Sequence, residues 1–407
     1  MDICETFPLE DPDDFRNALV AEGLPRSGEY SVALAPQFVD AKTLAGIEAF
    51  VRVFDQVTAR ESWLTAALAS APASARISLG EVCFFSAWDF HLPPVGGAWL
   101  IEFNDNGSGF LYAAIVNSLF YDAAGLAREP RIARPATVAV FHDRISFLLD
   151  QEAKALFGVR PNGLVLILDD KESLAAGKFR GEHKLLAALL AERGWETAIG
   201  PPDETRFDGR RLTFSGRPVA LVINRSTDFF WSSEPFGALR AARAERAVYV
   251  APNPFTYATR SDKGLLPWLS SSDRDAELGI EPEERRVLFA HVPETRLLAA
   301  GGIEDLADRK AEFVFKPRRG FASRGLLDSA AIGQARLRRL VRDGEDYVAQ
   351  RRIDKGEIEI DSRRLWTDLR VWAYQGEILM VSGRASRRPD RLDLSPPGGW
   401  IPTYALR

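Results

Sequence analysis

Two short segments at opposite ends of the chain carry residue types suited to gripping a phosphorylated ligand. The first, Ile101-Glu102-Phe103-Asn104-Asp105-Asn106-Gly107, offers a carboxylate and an amide oxygen two residues apart. On a strand such residues point to one face, and oxygen donors of this kind suit a hard cation. The second, Phe315-Lys316-Pro317-Arg318-Arg319-Gly320-Phe321-Ala322-Ser323-Arg324-Gly325, sets a lysine at a strand end before a glycine-containing turn. Ammonium, guanidinium and backbone N–H groups in that setting can cradle an anion. If the two segments meet, the chemistry they offer is the binding of Mg-ATP.

Further residues stand near these in type. Asp89 falls on the strand before Glu102 and Asn104, close enough to share a cation in the right register. Thr367 to Trp372 alternates polar and apolar, which puts Asp368 and Arg370 on one strand face, where Arg370 either forks onto phosphate oxygens or closes an ion pair within the sheet. Arg384, Arg387 and Arg388 pose the same choice. Ser261-Asp262-Lys263 reads as a helix cap that turns Lys263 toward a cleft. No Gly-x-x-x-x-Gly-Lys-Ser/Thr and no Gly-x-Gly-x-x-Gly after a strand is present, which argues against a P-loop enzyme and an ordinary dinucleotide fold. Cys83, in an apolar strand, reads as a buried, inert thiol, and His91, beside Asp89, as a residue that packs or supports a ligand rather than a ligand itself.

Composition bounds the rest. With 407 residues, 46% hydrophobic and 27% charged, the chain is expected to form two or three domains with substantial cores. A net charge of -5 gives no overall pull toward nucleic acid or membrane, so any polyanion site must be local. Two cysteines and four scattered histidines make neither a disulfide framework nor a zinc spacing. The acidic start does not read as a signal peptide and no apolar run is long enough to span a bilayer, so a cytoplasmic location is expected.

The elements that must position these residues follow from periodicity. Ala41 to Leu68 predicts one helix, with Leu44, Ile47, Phe50, Val51, Phe54 and Val57 on its buried face. Ile77 to Phe90 and Ala98 to Phe103 predict an antiparallel pair about a Pro-Pro-Val-Gly-Gly turn, and a helix is expected from Arg144 to Phe157. Gly163 to Asp169 reads as a parallel strand buried on both faces. A helix, a strand at Thr197 to Ile199, a small hairpin and a buried strand at Val219 to Asn224 complete a β-α-β pattern. Strands at Glu312 to Lys316, Asp346 to Gln350, Glu357 to Asp361 and Leu369 to Leu379 predict two antiparallel sheets. The fold class is therefore α/β (α+β).

Taken together, these motifs resemble the ATP-grasp superfamily in its circularly permuted branch, which includes glutathionylspermidine synthase-like proteins. Trp88-Asp89-Phe90-His91-Leu92 and the Glu102-x-Asn104 segment, Val222 to Phe229 with Ser261-Asp262-Lys263, the Lys316 strand and glycine loop, Tyr347 to Gln350, and Asp368-Leu369-Arg370 carry the resemblance. Glu-x-Asn precedes the lysine strand here, the order of the permuted branch. The resemblance implies an ATP-grasp portion at 1–135 carrying the metal ligands, a Rossmann-like pre-ATP-grasp domain at 136–262 and a nucleotide-binding portion at 263–407.

It also implies roles. Lys263, Lys316, Arg318 and the loop residues Gly320, Ser323 and Gly325 would take the ATP phosphates, and Tyr347 to Gln350 the adenine. Arg370 would stabilise the transferring phosphate beside Lys316, while Asp89, Glu102 and Asn104 would hold Mg2+. Arg225 and Asp228 would face the acceptor cleft, and the Arg319 to Gly325 loop would act as a lid. The activity implied is a carboxylate-amine ligase acting through an acyl phosphate on small-molecule or peptide substrates. A small-molecule kinase and a nucleotide-binding scaffold without turnover are the alternatives.

Overall fold

The structure is a computed structural model and describes residues 7–25, 30–83, 85–177, 179–320, 325–328, 332–390 and 392–407. Its organising element is a six-stranded antiparallel sheet assembled from both ends of the chain. The order is Gly399–Ile401, Glu377–Ser386, Arg363–Tyr374, Ala87–His91 and Trp99–Asn104, with Gly356–Ile360 beside the first half of Arg363–Tyr374. Arg363–Tyr374 turns into Glu377–Ser386 through Gln375 and Gly376, both at positive φ (49° and 82°), the conformation a two-residue hairpin requires. Near the termini, Gln37–Asp40 pairs in parallel with Thr403–Leu406.

Alternation sorts the central strands of this sheet. Leu369, Val371 and Ala373 face one way, with Trp88 and Phe90, onto the helix Ala41–Thr58, whose Phe50 and Phe54 meet Phe90 and Trp88 edge to face. On the other face Trp372 packs against Phe110 at the start of the helix Phe110–Ala123, which covers one half of the sheet. The other half of that face carries Asp368, Arg370 and Asp89.

The middle of the chain forms a second sheet in which Glu196–Gly200, Leu164–Leu168, Arg217–Asn224 and Tyr249–Ala251 run parallel. Every residue of Leu164–Leu168 is buried, as its uninterrupted apolar run requires once helices cover both faces. The expected hairpin is present as Thr205–Phe207 and Leu212–Phe214. A third sheet, antiparallel, orders Thr295–Leu297, Tyr347–Arg351, Phe313–Pro317 and Leu327–Asp328 over a core with the helices Ile303–Asp308 and Gln334–Arg342. Among the described residues no helix is long and apolar enough to cross a membrane.

Three expectations are corrected. The helix from Ala41 ends at Thr58 and a second one, Glu61–Leu68, begins after Arg60, whose backbone is extended (ψ 144°) and whose Nη1 donates to Glu284 Oε2 at 2.8 Å. Turning the chain there also lets buried Trp63 donate to Thr259 O at 2.8 Å. The strand expected from Ile77 starts only at Ala87, because upstream donors are taken elsewhere: Val82 N–H donates to Glu152 Oε2 at 2.9 Å. The helix expected from Arg144 begins at Val138, where Thr137 caps it.

Gly107 closes the loop after Trp99–Asn104 against the sheet. A Cβ there would lie 2.5 Å from Ala87 Cβ and 2.6 Å from Phe85 O, atoms fixed by strand and backbone. Gly107→Ala is therefore expected to destabilise the protein by about 1–3 kcal/mol, read as a lower urea midpoint at unchanged slope.

Candidate functional site

A cleft of about 420 Å³ lies between the six-stranded and third sheets, joined on one side by the segment 352–355. The pairing of Ala87–His91 with Trp99–Asn104 shapes one wall. Asp89 stands opposite Glu102 and Phe90 opposite Leu100, which leaves Ile101 as the extra residue of a bulge. Leu100 and Phe103 stay in the core while Ile101, Glu102 and Asn104 all line the cleft, so the bulge adds a cleft-facing residue that strict alternation would deny.

Lys316 reaches this wall from the third sheet. Its Nζ donates to Ile101 O at 2.9 Å and to Gln350 Oε1 at 2.6 Å. Burial pushes the ammonium down to about 8, with Glu102 pulling up and Lys263 pushing further down. Lys263 sits just beyond Asp262, whose Oδ1 caps the turn by accepting from Gly264 N–H at 2.8 Å and also accepts from Arg318 Nε at 2.7 Å. Lys263 Nζ lies 2.9 Å from Glu102 Oε1 and donates to Gly320 O at 2.7 Å. The two chain-end segments thus meet, with two ammonium groups and one carboxylate at the junction.

Beside them lies a buried chain of charge. Arg370 forks onto Asp89 through Nε (2.6 Å) and Nη2 (2.7 Å), Arg384 Nη2 lies 3.0 Å from the same carboxylate, and Arg384 also forks onto Asp368 (3.0 and 2.7 Å). Each fork joins residues directly opposed in the ladder. Burial alone would raise the Asp89 carboxyl, but Arg370 and then Arg384 outweigh it and hold it below the usual range. Of the two readings of Arg370, the ion pair within the sheet is the one observed, with Asp89 and not Asp368 as its partner.

Other expected residues fall as follows. Gly320 and Gln350 line the cleft; Arg318 and Gly325 flank it, Arg318 on Asp262 and Gly325 through its carbonyl, which accepts from Tyr347 Oη at 3.2 Å. Ser323 and the centre of the expected lid lie outside the described residues. Arg225 and Asp228 do not line the cleft. Arg225 is buried over the Phe85 ring, 3.8 Å from Glu182, and the carboxylate of Asp228 accepts from Ser232 and Ser233 N–H groups, organising its own loop. His91 donates through Nδ1 to Ile353 O at 2.9 Å, and burial pushes it down to about 4, which leaves it neutral. Burial pushes the Cys83 thiol up to about 12, and it is not in a strand. Missed from sequence were Lys355 and Trp366, which also line the cleft; neither stands in a recognisable spacing.

Among the described residues no group of three or more His, Cys, Asp or Glu could hold a metal ion. The donor set at the junction is nevertheless hard oxygen: Glu102 and Asn104 face the cleft together, as a cation that shares its shell with phosphate oxygens and water requires. Asp89 faces it too, but both its oxygens accept from guanidinium groups.

No family model matches the sequence, and no curated protein matches it. Among solved structures, a protein of Methylobacillus flagellatus KT described as a candidate gamma-glutamylcysteine synthetase is 12% identical, with a TM-score of 0.48 over 87% of this chain and 85% of its own. Nothing about this chain's reaction follows from a likeness of that size.

Two outcomes test the electrostatics. Asp89→Ala leaves Arg370 without its buried counter-ion and is expected to cost about 3–5 kcal/mol in urea unfolding. For Lys316, the folded value of about 8 lies below the free-chain value, so above pH 8 the unfolded chain binds more protons and stability rises with pH until the free lysine titrates near ~10.4. The gain from Lys316 between pH 7 and 9.5 is on the order of 2 kcal/mol; Lys316→Met should lose that rise.

Proposed function

We propose that the protein is an ATP-dependent ligase that joins a carboxylate to an amine, built as a circularly permuted ATP-grasp enzyme of the glutathionylspermidine synthase-like kind. The observation that carries the reading is the meeting of Lys263, Lys316 and Glu102 in a cleft whose walls come from opposite ends of the sequence. On this reading residues 1–135 and 263–407 make one nucleotide-binding unit, and 136–262 is the Rossmann-like domain inserted between them.

The two lysines would receive the triphosphate, and Arg370, whose guanidinium is held by Asp89 and Ser108 O, would add positive charge beside the transferring phosphate. Lys316 and Lys263 already point at the junction, held by the Ile101 and Gly320 carbonyls and by the side-chain oxygens of Gln350 and Glu102, which fix their position before any ligand arrives. Glu102 and Asn104 would hold a magnesium ion, which supplies charge neutralisation for the phosphates. The adenine would lie along Gln350 and the 352–355 segment, where Val314, Leu326 and Ile353 give the cleft an apolar end.

The reaction needs no protein nucleophile. A substrate carboxylate oxygen attacks the γ-phosphorus, the bond to the bridging oxygen breaks, and ADP leaves. The amine lone pair then attacks the acyl carbon, the carbon–oxygen bond to phosphate breaks, and one N–H proton goes to the departing phosphate. Positioning and charge neutralisation account for most of such a transfer. Closing the cleft would shield the acyl phosphate from water.

The reading is tested by calorimetry and ADP release. Lys316→Ala should weaken ATP binding about tenfold or more, the loss of one charged hydrogen-bonding group, whereas wild-type affinity would remove Lys316 from the site. Glu102→Gln should abolish ADP release driven by a pool of small carboxylates and amines in protein that still folds, with a lower urea midpoint because Lys263 loses its counter-ion; unchanged turnover would exclude Glu102. A phosphorylated product formed without any amine would identify a kinase instead.

A further inference from the structure

Beside the cleft, behind Asn104, a crevice of about 10 Å³ opens at the carboxyl ends of the parallel strands. Asn104 lines both spaces. Such a volume is that of one water-sized group. Its wall comes from the loop after Trp99–Asn104, from Asn224 and Ser226 at the end of one parallel strand, and from Pro252 and Asn253 at the end of the next.

Most polar groups around this crevice are satisfied internally. Asn224 Oδ1 accepts from Ser226 N–H (3.1 Å) and its Nδ2 donates to Pro252 O (3.2 Å). Asn253 Oδ1 accepts from Phe255 N–H and Thr256 N–H, and its Nδ2 donates to Val250 O. Two lining residues differ. Asp105, 3% exposed, accepts from Ser86 Oγ through Oδ1 at 2.8 Å, and its Oδ2 has no hydrogen-bond partner. Asn106 Nδ2 donates to Ser226 O at 3.3 Å, and its Oδ1 likewise has none. The buried Arg260 guanidinium acts on Asp105 through space; its Nη2 donates to Asp55 Oδ1 at 2.5 Å and its Nε has no hydrogen-bond partner, but it does not line the crevice.

Both unmet groups are acceptors, and one belongs to a carboxylate. A buried acceptor without a donor costs free energy comparable to the hydrogen bond it lacks, so the crevice favours a donor-rich, positively charged group the size of water. A carboxylate head would be repelled by Asp105, and a hydroxyl brings one O–H donor where an ammonium brings three.

We propose that the crevice is the seat of the amine substrate's head group, and that it selects a primary ammonium, held by Asp105 Oδ2 and Asn106 Oδ1. Substituents on the nitrogen beyond one carbon exceed the space, so secondary and tertiary amines are excluded. The remainder of the amine would extend past the stacked Phe229 and Tyr257 rings, which form the aromatic side of the crevice (4.3 Å between centroids). Asn104 stands between this seat and the junction of Lys263 and Glu102; to react, the nitrogen would give one proton to the Asp105 carboxylate and move past Asn104 with its lone pair free, the second proton going to the departing phosphate, while the carboxylate substrate is left to the basic side of the cleft. The role assigned to the head group rests on the ligase reading; the preference for an ammonium rests on the crevice alone.

The two are separated by using different readouts. Crystals of the full chain soaked in methylammonium chloride are expected to show the nitrogen within hydrogen-bond reach of Asp105 Oδ2 and Asn106 Oδ1, and crystals soaked in trimethylammonium chloride to show an ordered water there. A water in both soaks overturns the seat, whatever the nucleotide experiments give. In solution, Asp105→Asn and Asn106→Ala should raise the KM for methylamine in ADP release about tenfold or more with ATP affinity by calorimetry unchanged. An unchanged methylamine KM in whichever of these variants folds also overturns it. Failure of the wild-type protein to bind ATP would instead remove the ligase reading and leave the soaks to decide the ammonium seat.

Discussion

Asp89 lies buried between two guanidinium groups, and that arrangement constrains everything around it. Its partners Arg370 and Arg384 come from strands near the other end of the chain, so satisfying one carboxylate requires the two ends of the protein to share a sheet. Buried ion pairs add little to stability against well-packed apolar residues, but leaving one partner alone is costly. The network of two acids and two arginines therefore acts mainly as a register lock. A slip of one residue between Ala87–His91 and Arg363–Tyr374 would turn Asp89 into the aromatic core with Phe50 and Phe54 and bring Trp88 or Phe90 to the cleft.

Once that register holds, the cleft takes its character from what the sheet cannot cover. The helix Phe110–Ala123 packs over Trp372 and the apolar half of the same face, leaving the charged half open toward the third sheet. Lys316 crosses that gap to a carbonyl exposed by a bulge, and Lys263 crosses it to Glu102 and Gly320. At the junction Lys263 and Glu102 offset each other, and Lys316, held by neutral oxygens, leaves one positive charge over.

Much of this is legible in the sequence. The parallel strand at Leu164–Leu168 announced itself by an apolar run too continuous for a half-exposed sheet, and the face of the first long helix by its spacing. That Glu102 and Asn104 share a face follows from strand periodicity alone. The errors fall where long-range contacts override local pattern. Nothing near Arg60 announces that a glutamate far along the chain will hold it in an extended conformation, and nothing near Ile77 shows that Glu152 will claim the backbone donor of Val82. Arg225 and Asp228 sit on the expected loop, at the expected strand end, yet their side chains serve Glu182 and the loop itself.

What the sequence determined by itself is the set of elements and the faces on which charge sits, because periodicity and turn chemistry act over a few residues. Which charges meet was decided only by tertiary structure. Arg370 paired with Asp89 across the ladder, not with Asp368 on its own strand, and the bulge at Ile101 gave Lys316 its acceptor. Those outcomes depend on register between strands brought together from distant parts of the chain, where the cost of a buried unpaired charge, and not any local preference, selects the partner.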